Sequence, residues 1–333
     1  MRLNEAKEII KKLYETDRSI VIYLEGPPGI GKSSLVKEIA QELGIECKIV
    51  ELVTKKPTSF FIPEPEKDST GFREIVNFSI LPKDPDSKGI LFLDEFPSAP
   101  QIVQAAVHDL ILDRRLGEYT LPEGWIIVLA GNRVGENILN AFLPATINRI
   151  VKVEIEYSAK DFIDYAINHN YEPETIAFFT QNEHLITRTS FENFNGEPFT
   201  SPRSIEKADK LIKIFGKNHP KIAELLKGVL GDTAFDFVAF IQSEMPGVED
   251  VLNGKVEWNS LSQSKKHYVV AQVALNPEIK KIEKMMDIVD NEFKMVLISM
   301  IAVNKAFLPQ ILKSTKIMKA VDELKKVIQE VKI

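Results

Sequence analysis

The chain has 333 residues, enough for two domains at roughly 100–200 residues each, and its 44% hydrophobic and 27% charged content is ordinary for a globular protein. A net charge of −6 supplies no global positive field for nucleic acid, and the single cysteine, Cys47, excludes an internal disulfide and fits a reducing compartment. His108, His169, His184, His219 and His267 are scattered without metal-ligand spacing, which argues against a structural zinc site. The charged start Met1-Arg2-Leu3-Asn4-Glu5 lacks the apolar core of a signal peptide. No apolar run approaches the ~20 residues of a membrane span, so a cytoplasmic protein without membrane contact is expected.

In chain order, residues 19–25 form a strand-like run that leads directly into Gly26-Pro27-Pro28-Gly29-Ile30-Gly31-Lys32-Ser33. This is G-x-x-x-x-G-K-S between a strand and a helix, the context in which the pattern binds a nucleoside triphosphate. The glycines let the backbone wrap a phosphate chain with its N–H groups turned inward, and the helix start presents its positive end to the same anion. Lys32 can reach the terminal phosphates and the Ser33 hydroxyl can hold Mg²⁺. The nucleotide-binding set therefore comprises Gly26, Pro27, Pro28, Gly29, Ile30, Gly31, Lys32, Ser33 and Ser34.

The following helix, residues 32–43, carries Leu35, Val36, Ile39, Ala40 and Leu43 on one face, and Gly44 is placed to end it. A second strand is predicted over 48–52. Residues 54–88 contain Pro57, Pro63, Pro65, Pro82 and Pro85, which forbid a long helix, so a short helix and a hairpin set in exposed loops are expected there. Residues 89–93 read as a third strand, 101–112 as a helix, 116–124 as a small β-hairpin, 125–130 as a fourth strand and 150–155 as a fifth. Strands alternating with helical patterns through residue 157 indicate a parallel sheet covered on both faces. Beyond Ser158 the chain reads as helical, with one loop over 188–202. Its last helix bears an apolar stripe at Ile317, Ala320, Val321, Leu324, Val327, Ile328 and Val331.

The third strand ends in Asp94-Glu95. Two acids at a strand end are by themselves a solvated terminus. After a phosphate loop in a βαβ series they suit metal-dependent nucleotide hydrolysis, with Asp94 in the Mg²⁺ shell and Glu95 polarising the attacking water. Asn132 in Gly131-Asn132-Arg133 either makes a turn or orients the water and touches the γ-phosphate. Arg149 either snorkels at a strand end or stabilises phosphoryl-transfer charge in a neighbouring subunit. Ser201-Pro202-Arg203 opens a helix, with Ser201 as N-cap and Pro202 as first helical residue. Arg203 there faces either solvent or an anion. The lysines at 207, 210, 213, 217, 221 and 227 form a solvated helical surface or, as a minority reading, a nucleic-acid track.

Together these pieces resemble the AAA+ ATPases, and within them the MoxR-like branch, from about residue 10 to residue 250. Residues 26–33 are similar to that family's Walker A and 91–95 to its Walker B. Asn132 falls at the sensor-1 position, Arg149 at the arginine finger, and residues 200–204 at the sensor-2 motif that carries Arg203. The stretch from Asp113-Arg114-Arg115 to Gly131-Asn132-Arg133 is similar to the hairpin-then-sensor segment of this branch. The resemblance implies an α/β AAA+ core with a five-stranded parallel sheet in order 5-1-4-3-2, over residues 1–157. It implies a helical lid over 158–250, and the remainder, 251–333, reads as a helical extension. It also implies ATP and Mg²⁺ as cofactors, a ring of identical subunits, usually a hexamer, and both the 54–88 insert and the 118–124 hairpin facing the pore.

The function implied is Mg²⁺-dependent ATP hydrolysis that remodels or matures a protein client, with a von Willebrand factor A domain protein as possible adaptor. Two alternatives share this core: a nucleic-acid motor or loader, which the acidic charge disfavours, and an ATP-ordered binding scaffold with little turnover. A GTPase would leave the sensor Asn and the lid Arg unexplained, and the sequence has no Asn-Lys-x-Asp motif. Arg114, Arg115 and Arg133 compete with Arg149 for the role in trans.

Overall fold

The computed structural model describes residues 1–65, 72–132, 144–187 and 197–331. By contacts the chain divides into two compact units, Met1–Tyr157 and Ser158–Ile333.

The first unit runs α1 (Leu3–Thr16), β1 (Val21–Glu25), α2 (Lys32–Leu43), β2 (Glu46–Glu51), a hairpin of β3 (Phe61–Pro65) and β4 (Phe72–Val76), and β5 (Gly89–Asp94). It continues with α3 (Gln101–Ala106), α4 (His108–Asp113), a second hairpin of β6 (Arg115–Leu116) and β7 (Tyr119–Thr120), β8 (Trp125–Gly131), α5 (Pro144–Ile147) and β9 (Ile150–Glu154). Five of these strands form one sheet in the order β2-β5-β8-β1-β9, every pair parallel. Counting only the sheet's own strands, this is the expected 5-1-4-3-2.

Because side chains alternate across a strand, the two faces separate cleanly. Ile22, Leu24, Ile90, Phe92, Ile126, Val128 and Ala130 pack with Ala6 and Ile10 of α1 and Leu35, Val36 and Ile39 of α2. Tyr23, Leu91, Leu93, Trp125, Ile127 and Leu129 pack on the other face with Val103, Val107, Leu110 and Ile111. Fully burying each such side chain stabilises the fold by about 1.5–3 kcal/mol, which is why the central strands read as unbroken apolar runs.

Several local expectations shift. Helix α1 is absent from the sequence reading, although Ala6, Ile10 and Tyr14 recur at helical spacing and are buried. It is tied to α2 through Lys7, whose ammonium lies 2.7 Å from Glu38 and 2.8 Å from Glu42. The single helix expected over 101–112 is two, bent at Val107 (φ −100°, ψ 3°), and the bend keeps Val103, Val107, Leu110 and Ile111 all against the sheet. The short helix expected within 54–88 is a pair of 3₁₀ turns, Leu52–Thr54 and Pro57–Phe60. The two hairpins lie side by side: Tyr119 stacks edge-on to Phe78 and its hydroxyl donates to the Pro82 carbonyl at 2.9 Å.

The second unit consists, among the described residues, of α6 (Ala159–Asn168), α7 (Pro173–Gln181), α8 (Glu183–Thr187), α9 (Pro202–Phe215), α10 (Ile222–Leu230), α11 (Thr233–Ile241) and α12 (Val248–Leu252). It closes with α13 (Gln263–Leu275), α14 (Ile279–Ile288), α15 (Asn291–Ala302), α16 (Leu308–Lys313) and α17 (Thr315–Val331). One apolar cluster runs from Ala159 to Ala320, so residues 158–250 and 251–333 share a core. Ile317, Ala320 and Leu324 of the α17 stripe are buried and Val321 is half-buried; the side chains of Val327, Ile328 and Val331 lie outside the described residues. Most of the predicted 188–202 loop also lies outside them.

Within this core Asp209, 1% exposed, accepts from the Glu172 N–H at 2.8 Å, just ahead of α7, and pairs with Lys213 at 2.8 Å. Asp209→Ala strands that N–H in a part-buried setting and is expected to cost about 1–3 kcal/mol. Urea unfolding of the variant against wild type measures it.

Candidate functional site

The register brings the carboxyl ends of three central strands out together: Glu25 of β1 pairs with Gly131 of β8, and Leu93 of β5 with Leu129. The phosphate loop leaves β1 at this edge and Asp94 closes β5 beside it. The loop is anchored where it starts, by the Gly26 N–H donating to the Gly131 carbonyl at 3.1 Å, and at its crest, by the Tyr157 hydroxyl donating to the Pro28 carbonyl at 3.1 Å. Gly31, at φ 114° and ψ 14°, occupies backbone space that side-chain-bearing residues rarely adopt, and α2 begins immediately after it.

Lys32 is 7% exposed, and its ammonium donates to the Gly26 carbonyl at 2.7 Å, the Pro27 carbonyl at 3.1 Å and Asn132 Oδ1 at 3.2 Å. Ser33 Oγ donates to Asp94 Oδ2 at 2.7 Å, while Asp94 Oδ1 accepts the Glu95 backbone N–H at 2.9 Å. Asp94 is thus oriented through both oxygens. Glu95 has a left-handed backbone (φ 57°, ψ 33°) and leads into the 3₁₀ turn Phe96–Ser98. Beneath it the Tyr23 phenol is buried, and its pKa is pushed well up, first by burial and then by the Glu25 and Glu95 carboxylates. It is a neutral hydroxyl at physiological pH. Glu25 itself pairs with Lys152 at 2.8 Å.

Residues far apart in sequence therefore converge: Lys32 meets Asn132 and Ser33 meets Asp94 at one mouth, and Glu95 joins through its backbone N–H on Asp94. Of the other loop residues, Ile30 is buried in the core and Ser34 is exposed. Arg149 lies elsewhere. It precedes Ile150, which pairs with Val21, whereas the loop starts after Glu25, four residues further along β1. At ~3.3 Å per residue that is about 13 Å along the strand, and Arg149 pairs instead with Asp113 at 3.7 Å, both largely exposed.

Arg114 is corrected from candidate to scaffold. Its guanidinium donates to the carbonyls of Arg18 at 2.9 Å, Pro122 at 2.8 Å and Trp125 at 2.7 Å, which leaves it committed inside the fold. Burial lowers its pKa, opposed by the nearby Glu123 carboxylate. Arg115 is exposed, and Arg133 lies outside the described residues. Arg203 is exposed in the first turn of α9, which Ser201 caps by accepting from the Ser204 N–H. It belongs to the second unit.

Residues 22–154, which contain this mouth, match the family described as "ATPase family associated with various cellular activities (AAA)". The chain carries an AAA-family domain. Over 103 residues it is 32% identical to the Holliday junction branch migration complex subunit RuvB of Synechococcus sp. (strain CC9605), a stretch covering 31% of this chain and 24% of that protein. The chain thus spans about a quarter of the length of that curated relative. Among solved structures, NtrX from Brucella abortus is 17% identical with a TM-score of 0.43, covering 89% of this chain and 67% of that one. The RuvB Holliday junction branch migration motor of Thermotoga maritima is 15% identical with a TM-score of 0.39, covering 81% and 86%.

The donor set at the mouth of the AAA-family domain fits Mg²⁺: a hydroxyl and a carboxylate, both hard oxygen ligands, sit 2.7 Å apart. Among the described residues no three His, Cys, Asp or Glu side chains group as a metal site. Mg²⁺ takes one or two protein ligands and completes its shell with water and phosphate oxygens. One residue that holds the loop escapes sequence reasoning: Tyr157 contacts Pro28 across 129 positions and no local pattern marks it, while Gly131, read only as the neighbour of Asn132, contacts Gly26 across 105.

Proposed function

We propose that the chain hydrolyses ATP with Mg²⁺ and uses the energy, as a ring of identical subunits, to remodel or mature a protein client. The observation that carries this reading is the Ser33–Asp94 hydrogen bond beside the Lys32–Asn132 contact, which unites loop, strand-end acids and sensor amide. Ser33 and Asp94 would hold Mg²⁺, which would supply charge neutralisation at the phosphates. Lys32 exchanges loop carbonyls for phosphate oxygens and keeps its positive charge at the transferring group. Glu95 orients a water and accepts its proton, and Asn132 positions that water or the γ-phosphate. Arg149, about 13 Å along the strand from its own loop, would complete the site of an adjoining subunit, and Arg203 would take the sensor-2 role toward ATP.

The MoxR-like reading draws support from the paired hairpins β3–β4 and β6–β7, which a ring would turn toward its pore. The process would be cytoplasmic. No helix among the described residues is long and apolar enough to cross a membrane. A von Willebrand factor A domain adaptor is the partner to seek first, by pull-down with ATP-locked Glu95→Gln protein.

Lys32→Ala tests the foundation. It removes a charge-assisted donor to phosphate and is expected to weaken ATP binding at least 100-fold, about 3 kcal/mol, read by calorimetry. Binding at wild-type strength would refute the reading. The identity with RuvB favours a second reading, a nucleic-acid motor. Salt-dependent stimulation of turnover by DNA or RNA would establish it; its absence favours the protein client.

A further inference from the structure

The backbone of Glu95 is held in the left-handed region, at φ 57° and ψ 33°, one of few non-glycine residues there among those described. A glutamate gains nothing locally from that conformation, so its surroundings must impose it. Two residues on, Pro97 is buried in the turn Phe96–Ser98, whose end is closed by the Ser98 N–H donating to the Glu95 carbonyl at 3.0 Å. The Pro97 ring lies against the last residue of β8. A Cβ on Gly131 would stand 2.6 Å from Pro97 Cγ, closer still to Cδ, and 2.9 Å from the Tyr23 hydroxyl. Such separations leave no room for a methyl group. The proline ring cannot swing aside as a flexible side chain would, because it is fused to the backbone of the turn.

Gly131 is also the residue whose carbonyl accepts the Gly26 N–H and whose successor, Asn132, contacts Lys32. We infer that Gly131 and Pro97 are positioning residues: their contact wedges the turn so that Glu95 stays left-handed, which fixes the place from which its carboxylate acts. The contact couples the end of β8, which senses the phosphate loop, to the acid at the end of β5. This inference rests on the proposed role of Glu95 as the residue that activates water.

The test is a size-compensation cycle on the full chain, reading kcat for phosphate release, Kd for ATP and melting temperature. Gly131→Ala crowds the ring and is expected to lower kcat at least tenfold with Kd changed less than threefold. Pro97→Ala removes Cγ and Cδ, frees the turn, and is expected to lower kcat about three- to tenfold at unchanged Kd. The double variant Gly131→Ala/Pro97→Ala removes the two closest clashes, those with the ring, while the 2.9 Å approach to the Tyr23 hydroxyl remains, and is expected to turn over faster than Gly131→Ala alone without full recovery. Recovery of kcat by removing a second side chain is not what a merely destabilising substitution shows.

Wild-type kcat in Pro97→Ala, or a Gly131→Ala defect confined to Kd, would overturn the proposal. So would a double variant no faster than Gly131→Ala. If Gly131→Ala does not fold, Pro97→Ala alone decides. Glu95→Gln, run in parallel, separates the two claims. If it hydrolyses ATP normally, the reading of Glu95 fails. If it is inactive while Gly131→Ala and Pro97→Ala are normal, only the positioning fails.

Discussion

Glu95→Gln is expected to bind ATP within a few-fold of wild type and to lose turnover by about 10²–10⁴. The substitution keeps the size and shape of the side chain, so the left-handed turn and the Glu95 N–H bond to Asp94 Oδ1 at 2.9 Å survive. What changes is chemistry at one atom: a carboxylate oxygen can take the proton of an attacking water, and an amide cannot. Ser33, Lys32 and Asp94 remain to bind the nucleotide. Phosphate release measured beside ATP binding distinguishes this from Lys32→Ala, in which binding itself goes. Unchanged turnover would remove Glu95 from the mechanism.

Arg149→Ala is expected to cost about 10³–10⁵ in turnover if it supplies the transition-state charge at a neighbour's site. The register supports action in trans, because Arg149 lies at the amino end of β1 while its own phosphate loop starts at the carboxyl end. Its pairing with Asp113, at 3.7 Å and largely exposed, is a weak restraint that a better anion would displace. Mixing Arg149→Ala with Lys32→Ala protein discriminates. Neither variant is active alone, but a mixed ring contains boundaries with an intact Lys32 on one side and an intact Arg149 on the other. Partial recovery is the expected outcome. No recovery in rings shown to be mixed would transfer the role to another arginine, with exposed Arg115 the next candidate.

Much of this site is legible along the chain because its signals are local. The phosphate loop is a run of adjacent residues in which small side chains and one lysine are dictated by the shape of a phosphate chain. The strand that ends in Asp94-Glu95 shows itself by being apolar on both faces. Other features have the opposite character. The bend at Val107 comes from the need to keep four side chains on the sheet, not from any breaker residue. Arg114 reads as a free cation beside a hairpin, yet three carbonyls from separate segments claim it.

What the sequence by itself determined is the kind of chemistry available: a triphosphate-binding loop, a pair of strand-end acids and a parallel α/β sheet, with the sensor amide and the strand order implied only through the resemblance to AAA+ ATPases. Only the tertiary structure decided which of these meet. Asn132 reaches Lys32 across 100 residues, Ser33 reaches Asp94 across 61, and Gly131 presses on Pro97. Those contacts depend on strand register, which a sheet sets through the packing of its two buried faces at once, and packing of that kind leaves no mark in any short stretch of chain. The same register carried Arg149 away from its own nucleotide mouth, a separation that spacing along the sequence could not reveal.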